Sequence, residues 1–582
     1  MEISQSQSQG QPTQPPITVF FGSQTGTADD FARMLVREGK KEGFDIKKCD
    51  LEDFDPETFV KIPVAFFIMA TTGEGHPTDN SVKFTEWITS EERAPDTLKN
   101  MKFTVFGLGN STYDQYNAQG KRVNAHLERI GAQRIYKYGE GDDDGDIEED
   151  FNAWKADLWK ELREKLTIQQ APVINEKILK TQSKLPFVLS INKEKEEIDV
   201  QNYNPQNDGK EYEFQMKQYL TSATVKITAI RELRQKTDDG STLHVELDVG
   251  TAGISYKTAA NLAVFPENSP ENVEKIAKLL GLKLSDIISV EENTNLDKKN
   301  KFKYPFPTPI SVQTYLTKFC DLAGAVRKKQ LSELAEFCPN EDLKKKLLYL
   351  ASNEGKSQFE AEISAPMKGL VDIIEEYNIK LPLENLINIA SLIPPRFYTI
   401  ASSSLKNPKS LHICVSLEIK PLPNGKTHMG LTSQFLQRIQ QNHAQGKELP
   451  CLKVSVRDST FHLPTVENTP VIMIGPGAGL APFRGFVEEK AFLAEKGEKS
   501  VWGHQMLYFG CKGKNWDFIY NDELIAYHEA KIINDLYLAF SRDQEKKIYV
   551  QDLLLENREK VMSLLFEKNA TLYICGSMRM GK

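Results

Sequence analysis

The sequence predicts a multidomain chain in which two α/β domains flank a β-barrel that carries a helical insertion. In residues 17–164 and 464–582, short apolar strand-like runs alternate with helix-like segments, a pattern typical of buried parallel strands. Between them, apolar and polar residues alternate around LHVELDV, as they do in β-strands. Residues 310–390 are rich in Leu, Lys and Glu at helical spacing, and strand-like runs return after them. A chain of 582 residues with 40% apolar content also needs roughly two to four separate cores.

Composition shifts predict where these domains begin and end. The first sixteen residues are polar and rich in Gln, Ser and Pro, without the basic and apolar parts of a signal peptide. No stretch approaches the ~20 apolar residues that span a bilayer, so we expect a soluble, cytoplasmic protein. The predicted order is a disordered N-terminus at 1–16, a first α/β domain at 17–164, a linker at 165–222, a barrel at 223–463 with its insertion at about 270–390, and a second α/β domain at 464–582.

Charge and cysteine usage exclude some classes of function. Acidic residues outnumber basic ones by 81 to 73, which argues against nucleic acid as a partner. The seven cysteines are odd in number and widely spaced, without a Cys-x-x-Cys pair. This spacing favours reduced thiols in the cytosol over a disulfide framework or a metal site.

In the first α/β domain, a loop follows each of the apolar runs 17–21, 63–70 and 103–109. The loop at 22–32 places Ser23, Thr25 and Thr27 where a strand turns into a helix, which predicts a phosphate site. The loops at 70–80 and 107–121 should lie beside it, along the edge of the sheet where ligands bind. The alternative interpretation, that these residues only form turns, weakens when three such loops occur in order.

The middle region carries RFYTIASS (396–403), ICVS (413–416) and GLTSQFL (430–436). Arg396 is a planar donor suited to a diphosphate, Tyr398 offers a ring for stacking, and GLTS is a phosphate-accepting turn before a helix. Taken singly, Arg396 is equally well explained as a surface ion-pair residue and Tyr398 as a core aromatic.

In the second α/β domain, IGPGAGLAPFRGF (474–486) follows one apolar run and opens a helix, as a dinucleotide diphosphate site requires. Further apolar runs cover 506–512, 536–542 and 571–577. The end of the second run and the residues after it offer two cations and two hydroxyls, a set that suits an adenosine 2′-phosphate although it also describes a solvated basic surface: Ser541, Arg542, Lys547 and Tyr549.

The three loops of the first domain resemble the FMN site of the flavodoxin-like domain in NADPH–cytochrome P-450 reductases. GEGDDDGDIEEDF (139–151) matches the acidic segment of that family, and the resemblance extends from about residue 17 to 582. It implies FMN contacts from Ser23, Gln24, Thr25, Gly26, Thr27, Ala28, Thr71, Thr72, Gly73, Gly75, Leu108, Gly109, Asn110, Tyr113, Tyr116, Asn117 and Asp143.

The middle motifs resemble the FAD site of ferredoxin-reductase-like domains, in which Tyr398 would flank the flavin and Thr399 would lie near its reactive nitrogen. The family usually has Ser at that last position, and Thr keeps the hydroxyl. The implied FAD contacts are Arg396, Tyr398, Thr399, Cys414, Val415, Ser416, Gly430, Leu431, Thr432 and Ser433.

The last domain resembles the NADP domain of the same reductases. Cys575 matches the cysteine that lies beside the nicotinamide and assists hydride transfer, so Thr399 and Cys575 are the candidate catalytic residues. The implied NADP contacts are Arg231, Gly477, Ala478, Ser541, Arg542, Lys547, Tyr549 and Gln551.

The chain departs from the family pattern at several places. Thr72 stands where an aromatic ring is usual, Ala259, Ala260 and Asn261 replace Gly-Asp-His, and Ala478 replaces Thr. We expect weaker flavin or nucleotide contacts at these points. Members of the family are usually anchored to the cytosolic face of the endoplasmic reticulum. The resemblance leads us to expect that this membrane anchor is missing here, together with the family's C-terminal aromatic segment.

The resemblance implies an NADPH–haemoprotein reductase that moves electrons from NADPH to FAD to FMN and singly to a haem acceptor, and we expect a monomer. Residues 1–170 hold 30 acidic and 20 basic side chains, which predicts an acidic docking face that includes Asp142, Asp143 and Asp144. Two alternatives stay open: a soluble diflavin reductase serving an iron–sulfur or cobalamin protein, and a truncated FMN electron shuttle.

Overall fold

A computed structural model describes residues 15–24, 26–73, 75–111, 113–145, 147–166, 185–192, 195–203, 214–294, 302–352, 354–422, 425, 427–459, 461–466, 468–497 and 502–576. All but the last two residues of the N-terminal stretch predicted to be disordered lie outside these ranges, as does much of the predicted linker. The chain forms two compact units, the first ending at Lys184 and the second starting at Leu185, except that 294–301 belongs to the first.

The first unit contains a largely parallel sheet of seven strands. Five of them have the order β2-β1-β3-β5-β6, while β7 pairs with β5 and β4 pairs with β3. The neighbouring strands β1 and β3 are parallel, but the chain places β2 on the far side of β1 and β5 on the far side of β3, so a crevice opens between them at the switch point of a flavodoxin-like sheet. The strands are β1 (Ile17–Gly22), β2 (Ile46–Asp50), β3 (Val64–Thr72), β4 (His76–Pro77), β5 (Lys102–Gly109), β6 (Gln133–Arg134) and β7 (Gly139–Asp142).

Helices cover both faces of this sheet, so its central strands are buried on both sides and are nearly continuous apolar runs, interrupted by the buried Thr18 and Thr104. Aromatic rings dominate the two cores; the rings of Phe31 and Phe151 stack at 4.1 Å on one face, and those of Phe20 and Phe67 at 5.3 Å on the other. The helices are α1 (Thr27–Lys41), α2 (Pro56–Phe59), α3 (Val82–Thr89), α4 (Ala118–Arg129), α5 (Ile147–Lys155) and α6 (Leu158–Leu166).

The second unit combines an antiparallel sheet, a helical cluster and a parallel sheet. Its strands are β8 (Phe187–Ile191), β9 (Ala223–Glu232), β10 (Thr242–Asp248), β11 (Asn261–Phe265), β12 (Ile287–Glu292), β13 (Ile310–Ser311), β14 (Arg396–Thr399), β15 (Ser410–Ser416), β16 (Ile419–Pro421), β17 (Thr427–Met429), β18 (Cys451–Arg457), β19 (Thr469–Ile474), β20 (Trp502–Cys511), β21 (Asp535–Phe540) and β22 (Thr571–Ile574).

Its helices lie between β8 and β22. They are α7 (Lys217–Thr221), α8 (Pro270–Leu280), α9 (Val312–Lys318), α10 (Lys328–Leu334), α11 (Glu341–Ala351), α12 (Lys356–Phe359), α13 (Leu370–Glu376), α14 (Leu383–Ile389), α15 (Leu431–Ala444), α16 (Ala481–Glu495), α17 (Asn521–Glu529), α18 (Val550–Glu556) and α19 (Arg558–Met562).

The antiparallel sheet has the strand order β14-β11-β18-β9-β10-β15. A bridge between Ile400, just after β14, and Ile413 in β15 brings its two edges together, as closure into a barrel requires. Helices α8 to α14 form a separate core beside it and interrupt the barrel between β11 and β14, as predicted. Strand β8 lies in the predicted linker and pairs with β12, where Leu189 stands opposite Val290.

The second parallel sheet has the order β21-β20-β19-β22. The parallel strands β19 and β22 are neighbours, but the chain places β20 on one side of β19 and β22 on the other, so the loops after β19 and β22 meet at a second switch point. The predicted fold class is confirmed in its order along the chain, with an α/β domain, then an antiparallel sheet with a helical insertion, then a second α/β domain, whereas the residue boundaries stay predictions. In the ranges that the structure covers, no helix combines the length and apolar character needed to cross a bilayer.

Candidate functional site

The first loop joins β1 to α1 and is shaped by its own backbone. The amide of Gly26 donates to Ser23 Oγ at 3.0 Å, and Gly26 has a φ of 99°, which favours glycine. Among the described residues, nothing lies within 4 Å of the place where a side chain at Gly26 would stand, so this side of the turn is open. Thr27 and buried Ala28 begin a helix whose first amides lack intrahelical partners, which fits a phosphate group. Thr25 lies outside the described residues.

Asn80 holds this loop in place, although the sequence analysis did not single it out. Its Oδ1 accepts from the amide of Ser23 at 2.9 Å. Its Nδ2 donates to the carbonyl of Phe21 at 3.1 Å and to Asp50 Oδ1 at 2.7 Å. Gln24 is likewise tied to Asp79 by two hydrogen bonds of 2.8 and 3.2 Å. The phosphate loop is therefore fastened to the turn that ends the second loop.

The second loop lies on the other side of the switch point and is tied to α4. Thr71 Oγ1 accepts from the amide of Gln119 at 3.2 Å, and the Gln119 side chain donates to the Gly75 carbonyl. Gly73 and Gly75 have φ values of 50° and 84°, so this loop needs glycine at both positions. Thr72 pairs with His76 across β3 and β4, which puts both side chains on one face. His76 thus carries a ring on the same face as Thr72, the position where the family pattern has an aromatic residue.

The third loop runs from the end of β5 into α4. Asn117 is buried with a φ of 54°, and its Nδ2 donates to the Gly141 carbonyl at 3.4 Å. A side chain at Gly109 would lie 2.7 Å from the Asn117 amide, so only glycine fits there. Buried Leu108 ends the strand core, and Asn110 accepts a backbone hydrogen bond of 3.0 Å from Tyr113, whose side chain is 52% exposed. An exposed flat ring beside two glycine-rich loops fits a planar ligand.

Partial burial and the nearby carboxylates of Asp142 and Glu140 raise the pKa of Tyr116 to about 12, so its phenol is neutral. Asp142 Oδ1 accepts from the amides of Ser111 at 2.8 Å and Asp144 at 3.0 Å. Asp143 and Asp144 are exposed, and the amide of Asp143 donates to the Gly109 carbonyl at 2.8 Å. The three aspartates predicted as a docking face therefore differ in their contacts: the side chain of Asp142 holds the third loop, whereas Asp143 and Asp144 are exposed.

In the second unit, the candidate FAD residues come from β14, β15 and the start of α15. Burial raises the pKa of Tyr398, while Thr432 and Arg396 lie close enough to counter part of that shift. Arg396 also donates to the Pro394 carbonyl at 2.5 Å. Thr399 ends β14 opposite Asn261 of β11. The structure therefore brings the predicted diphosphate donor, the predicted stacking ring and the start of α15 to one place.

Gly430 caps α15, and buried Leu431, Thr432 and Ser433 form its first turn. Ser433 Oγ accepts from the amide of Glu418 at 2.8 Å, which fixes the approach to the helix. On β15, Cys414 and Val415 are buried whereas Ser416 is exposed. Burial raises the pKa of the Cys414 thiol to about 12, so it is protonated and not a nucleophile.

The candidate NADP loop fills the second switch point. Gly477 has a φ of 55°, and no atom of the part of the chain that the structure describes lies within 4 Å of the place where a side chain there would stand. Partly buried Ala478 follows it in a tight turn before α16. Cys575, just after β22, donates its amide to the Ile474 carbonyl at 2.9 Å. A side chain at Gly479 would overlap the Cys575 carbonyl, so the loop and Cys575 are in direct contact.

The candidate 2′-phosphate residues follow β21, as predicted. Ser541 and Arg542 are held by backbone bonds to the carbonyls of Cys511 at 3.0 Å and Lys512 at 2.7 Å. The Arg542 guanidinium lies 5.3 Å from the Trp516 ring and 3.7 Å from Asp239 Oδ2. The remaining members are Lys547 and Gln551, which are exposed, and Tyr549, which is half exposed.

Arg231 on β9 and Ala259 before β11 lie where the barrel meets the NADP domain. The Arg231 guanidinium is half exposed, 3.9 Å from Glu523 and 6.0 Å from the Tyr520 ring centre. Ala259 is buried with a φ of 61°, a conformation that favours glycine, which accounts for the glycine of the family pattern at this position.

Three side chains on the barrel wall, His244, Glu246 and His412, have donor atoms within 4.8 Å of one another. Burial lowers the pKa of His244 to about 3 and that of His412 to about 4, and Arg484 adds to both shifts. His244 Nδ1 is hydrogen-bonded to the Tyr520 hydroxyl at 2.8 Å. Because a nearby guanidinium also opposes a metal cation, we interpret the cluster as a polar link between barrel and NADP domain.

Family models match three parts of the chain: flavodoxin at 19–154, an FAD binding domain at 217–435 and an oxidoreductase NAD-binding domain at 473–582. These matches confirm FMN, FAD and NADP as the cofactors and the predicted order of their domains.

Curated proteins named NADPH–cytochrome P-450 reductase match nearly the whole chain. The protein of Rattus norvegicus is 35% identical over 97% of this chain and 82% of its own length. The Homo sapiens protein is 34% identical with the same coverage, and that of Drosophila melanogaster is 36% identical over 97% of this chain and 81% of its own length.

Proposed function

Because this chain belongs to the family of NADPH–cytochrome P-450 reductases, we propose that it delivers electrons one at a time to a haem protein of the cytochrome P-450 class. The chain is an NADPH-dependent diflavin oxidoreductase with FMN-binding, FAD-binding and NADP-binding domains. The observation that carries the proposed acceptor is the 35% identity over 97% of the chain to a relative of that name.

When bound, the cofactors supply hydride transfer from NADPH and a change from two-electron to one-electron steps between the two flavins. The chain's own residues bind and orient them. Helix α1 and Ser23 would hold the FMN phosphate, Arg396 and the first turn of α15 would hold the FAD diphosphate, and Gly477 with Arg542 would hold the nucleotide. Thr399, the last residue of β14, would supply a hydroxyl at the point of hydride transfer, and Cys575, just after β22, would supply a thiol there.

The first experiment is an anaerobic NADPH titration of the purified chain, after the FMN and FAD released from it have been quantified. We expect equal amounts of both flavins, reduced by NADPH, followed by reduction of cytochrome c. FMN alone would instead favour an electron shuttle. Flavins that reduce but pass electrons only to an iron–sulfur or cobalamin protein would favour the second type of reductase.

An acidic face around the third FMN loop would recruit a basic acceptor. Asp143 and Asp144 are exposed close to the candidate stacking ring of Tyr113, and the surrounding region carries excess negative charge. Asp142 contributes to the same negative electrostatic field, but its side chain also holds the third loop through the amide of Ser111. The test of docking is therefore made on Asp143 and Asp144, with the FMN content of the variant measured first because Asp143 is also an implied FMN contact.

Replacing both residues by Asn should lower the rate of cytochrome c reduction roughly 3- to 10-fold at low ionic strength, with the difference shrinking as salt rises. The matched control is Glu91→Gln with Glu92→Gln, which removes the same charge from exposed residues after α3. That helix starts beside the second loop and runs back towards the other end of the strands. Equal effects of the two pairs would show that only net charge matters and no docking face exists.

A further inference from the structure

Arg484 is a buried charge on α16, the helix that starts at the candidate NADP loop. Only 7% of the residue is exposed. Charged side chains are rarely buried to this degree unless several partners satisfy them. The partners of Arg484 therefore indicate its structural role.

These partners come from both sides of the contact between barrel and NADP domain. Arg484 Nε donates to Glu523 Oε2 on α17 at 2.7 Å. Its NH1 donates to the carbonyl of Ala401 at 2.8 Å, and Ala401 lies two residues after Thr399. A single guanidinium thus joins the segment that carries the candidate hydride-accepting site to the NADP domain.

An aromatic ring closes the same junction. The guanidinium carbon of Arg484 lies 4.8 Å from the centre of the Tyr520 ring. Tyr520 is buried and has a φ of 53°, a strained conformation for a large side chain. Its hydroxyl bonds to His244 on the barrel at 2.8 Å. The arginine is therefore clamped between a carboxylate, a carbonyl and a ring.

The next turn of α16 is docked on the same segment. A side chain at Gly485 would lie 3.2 Å from the Ser402 carbonyl, so helix and segment are in close contact. Glu488 Oε2 accepts from the amide of Ser403 at 2.7 Å and from Asn407 Nδ2 at 3.0 Å. Because α16 also begins at the loop that touches Cys575, one rigid helix connects Cys575 to the end of β14.

We propose that Arg484 is a positioning residue that sets the separation between the nicotinamide and flavin sites, an inference that rests on the proposed function. Two donor groups on one planar guanidinium hold the end of β14 and α17 against α16. Hydride transfer is steeply sensitive to geometry, and a displacement of about 1 Å costs on the order of 10²-fold in rate. Loss of Arg484 therefore slows flavin reduction by NADPH without removing either cofactor.

The test compares Arg484→Met, Arg484→Lys and the control Lys490→Met in the full chain loaded with both flavins. Lys490 lies on the same helix, and the control also removes one positive charge. We expect Arg484→Met to keep FAD and to bind NADP within about 3-fold of wild type, but to reduce its flavin 10- to 100-fold more slowly in anaerobic stopped flow. Arg484→Lys should recover part of the rate, and Lys490→Met should match wild type.

A second readout does not depend on turnover. Amide hydrogen exchange across 396–407 should speed up in Arg484→Met and stay unchanged in Lys490→Met, because only the former loses the bond to the Ala401 carbonyl. Unchanged exchange and unchanged flavin reduction in Arg484→Met would overturn the inference.

Two further outcomes are separable. If Arg484→Met loses FAD, the Glu523→Gln variant tests the inference instead, because it weakens the bond from Arg484 to Glu523 and leaves the bond from Arg484 to the Ala401 carbonyl. An unchanged rate of flavin reduction in Glu523→Gln would then reject the positioning role of Arg484. A wild-type chain whose flavins stay oxidised with NADPH would refute the enzyme function itself, whereas the exchange experiment would still report on the junction.

Discussion

Asn80→Ala should weaken FMN binding selectively, because this side chain fastens the phosphate loop. The substitution removes the acceptor for the Ser23 amide and the donor to the Phe21 carbonyl and to Asp50. At about 1 kcal/mol for each of the three hydrogen bonds, the loop loses about 2–3 kcal/mol of local stabilisation. Because FMN binding must then restore the ordered conformation of the loop, the affinity of the chain for FMN falls roughly 30- to 150-fold.

The assay measures the FMN to FAD ratio of the purified variant and then titrates FMN back by fluorescence quenching. FAD content serves as an internal control, because the FAD residues belong to the other unit. Asn100→Ala, at an exposed position just before β5, is the matched control. An Asn80→Ala chain that retains full FMN with an affinity within about 2-fold of wild type would refute the reasoning.

Three other substitutions or conditions have defined outcomes. Gly479→Ala pushes a methyl group into a backbone carbonyl, so we expect at least a roughly 10-fold slower flavin reduction by NADPH with normal FAD content; an unchanged rate would contradict the close contact. Arg542→Ala with Lys547→Ala should raise the KM for NADPH about 10- to 100-fold and leave that for NADH unchanged, since only NADPH carries the 2′-phosphate; equal effects on both nucleotides would reject the assignment. As pH falls from 7.5 to 5, the unfolded state binds protons that buried His244 and His412 do not, because their folded pKa values of about 3 and about 4 lie below the unfolded value. The free energy of unfolding should thus drop by about 2 kcal/mol per histidine, and His412→Gln should remove about half of that dependence in urea titrations followed by FAD release.

The sequence predicted the central strands well because they are buried on both faces. β1, β3 and β5 are nearly continuous apolar runs in which Thr18 and Thr104 are buried polar exceptions, because burial on two sides strongly favours apolar side chains. β2 was not singled out, since it is an edge strand with two lysines in five residues. β8 was assigned to a linker, because it is half exposed and its pairing partner β12 lies about a hundred residues away.

The loops that surround the candidate cofactor sites were also predictable, for a local reason. Gly26, Gly73 and Gly477 occupy turns that need a positive φ, and such turns leave their mark directly on the sequence. The side chains that hold those loops leave no comparable mark. Asn80 and Gln119 are ordinary polar residues until the fold brings them against Ser23 and Thr71.

By itself, therefore, the sequence determined the order of the domains, the three nucleotide-type loops and the resemblance that names the cofactors, because strand burial and turn geometry depend on neighbouring residues. Tertiary structure alone decided which side chains hold those loops in register. Arg484 lies within a glycine-rich motif, yet its role depends on Ala401 and Glu523, 83 and 39 residues away. Hydrogen bonds over such separations form only after both partners have been placed by the packing of their own cores, so no local pattern encodes them.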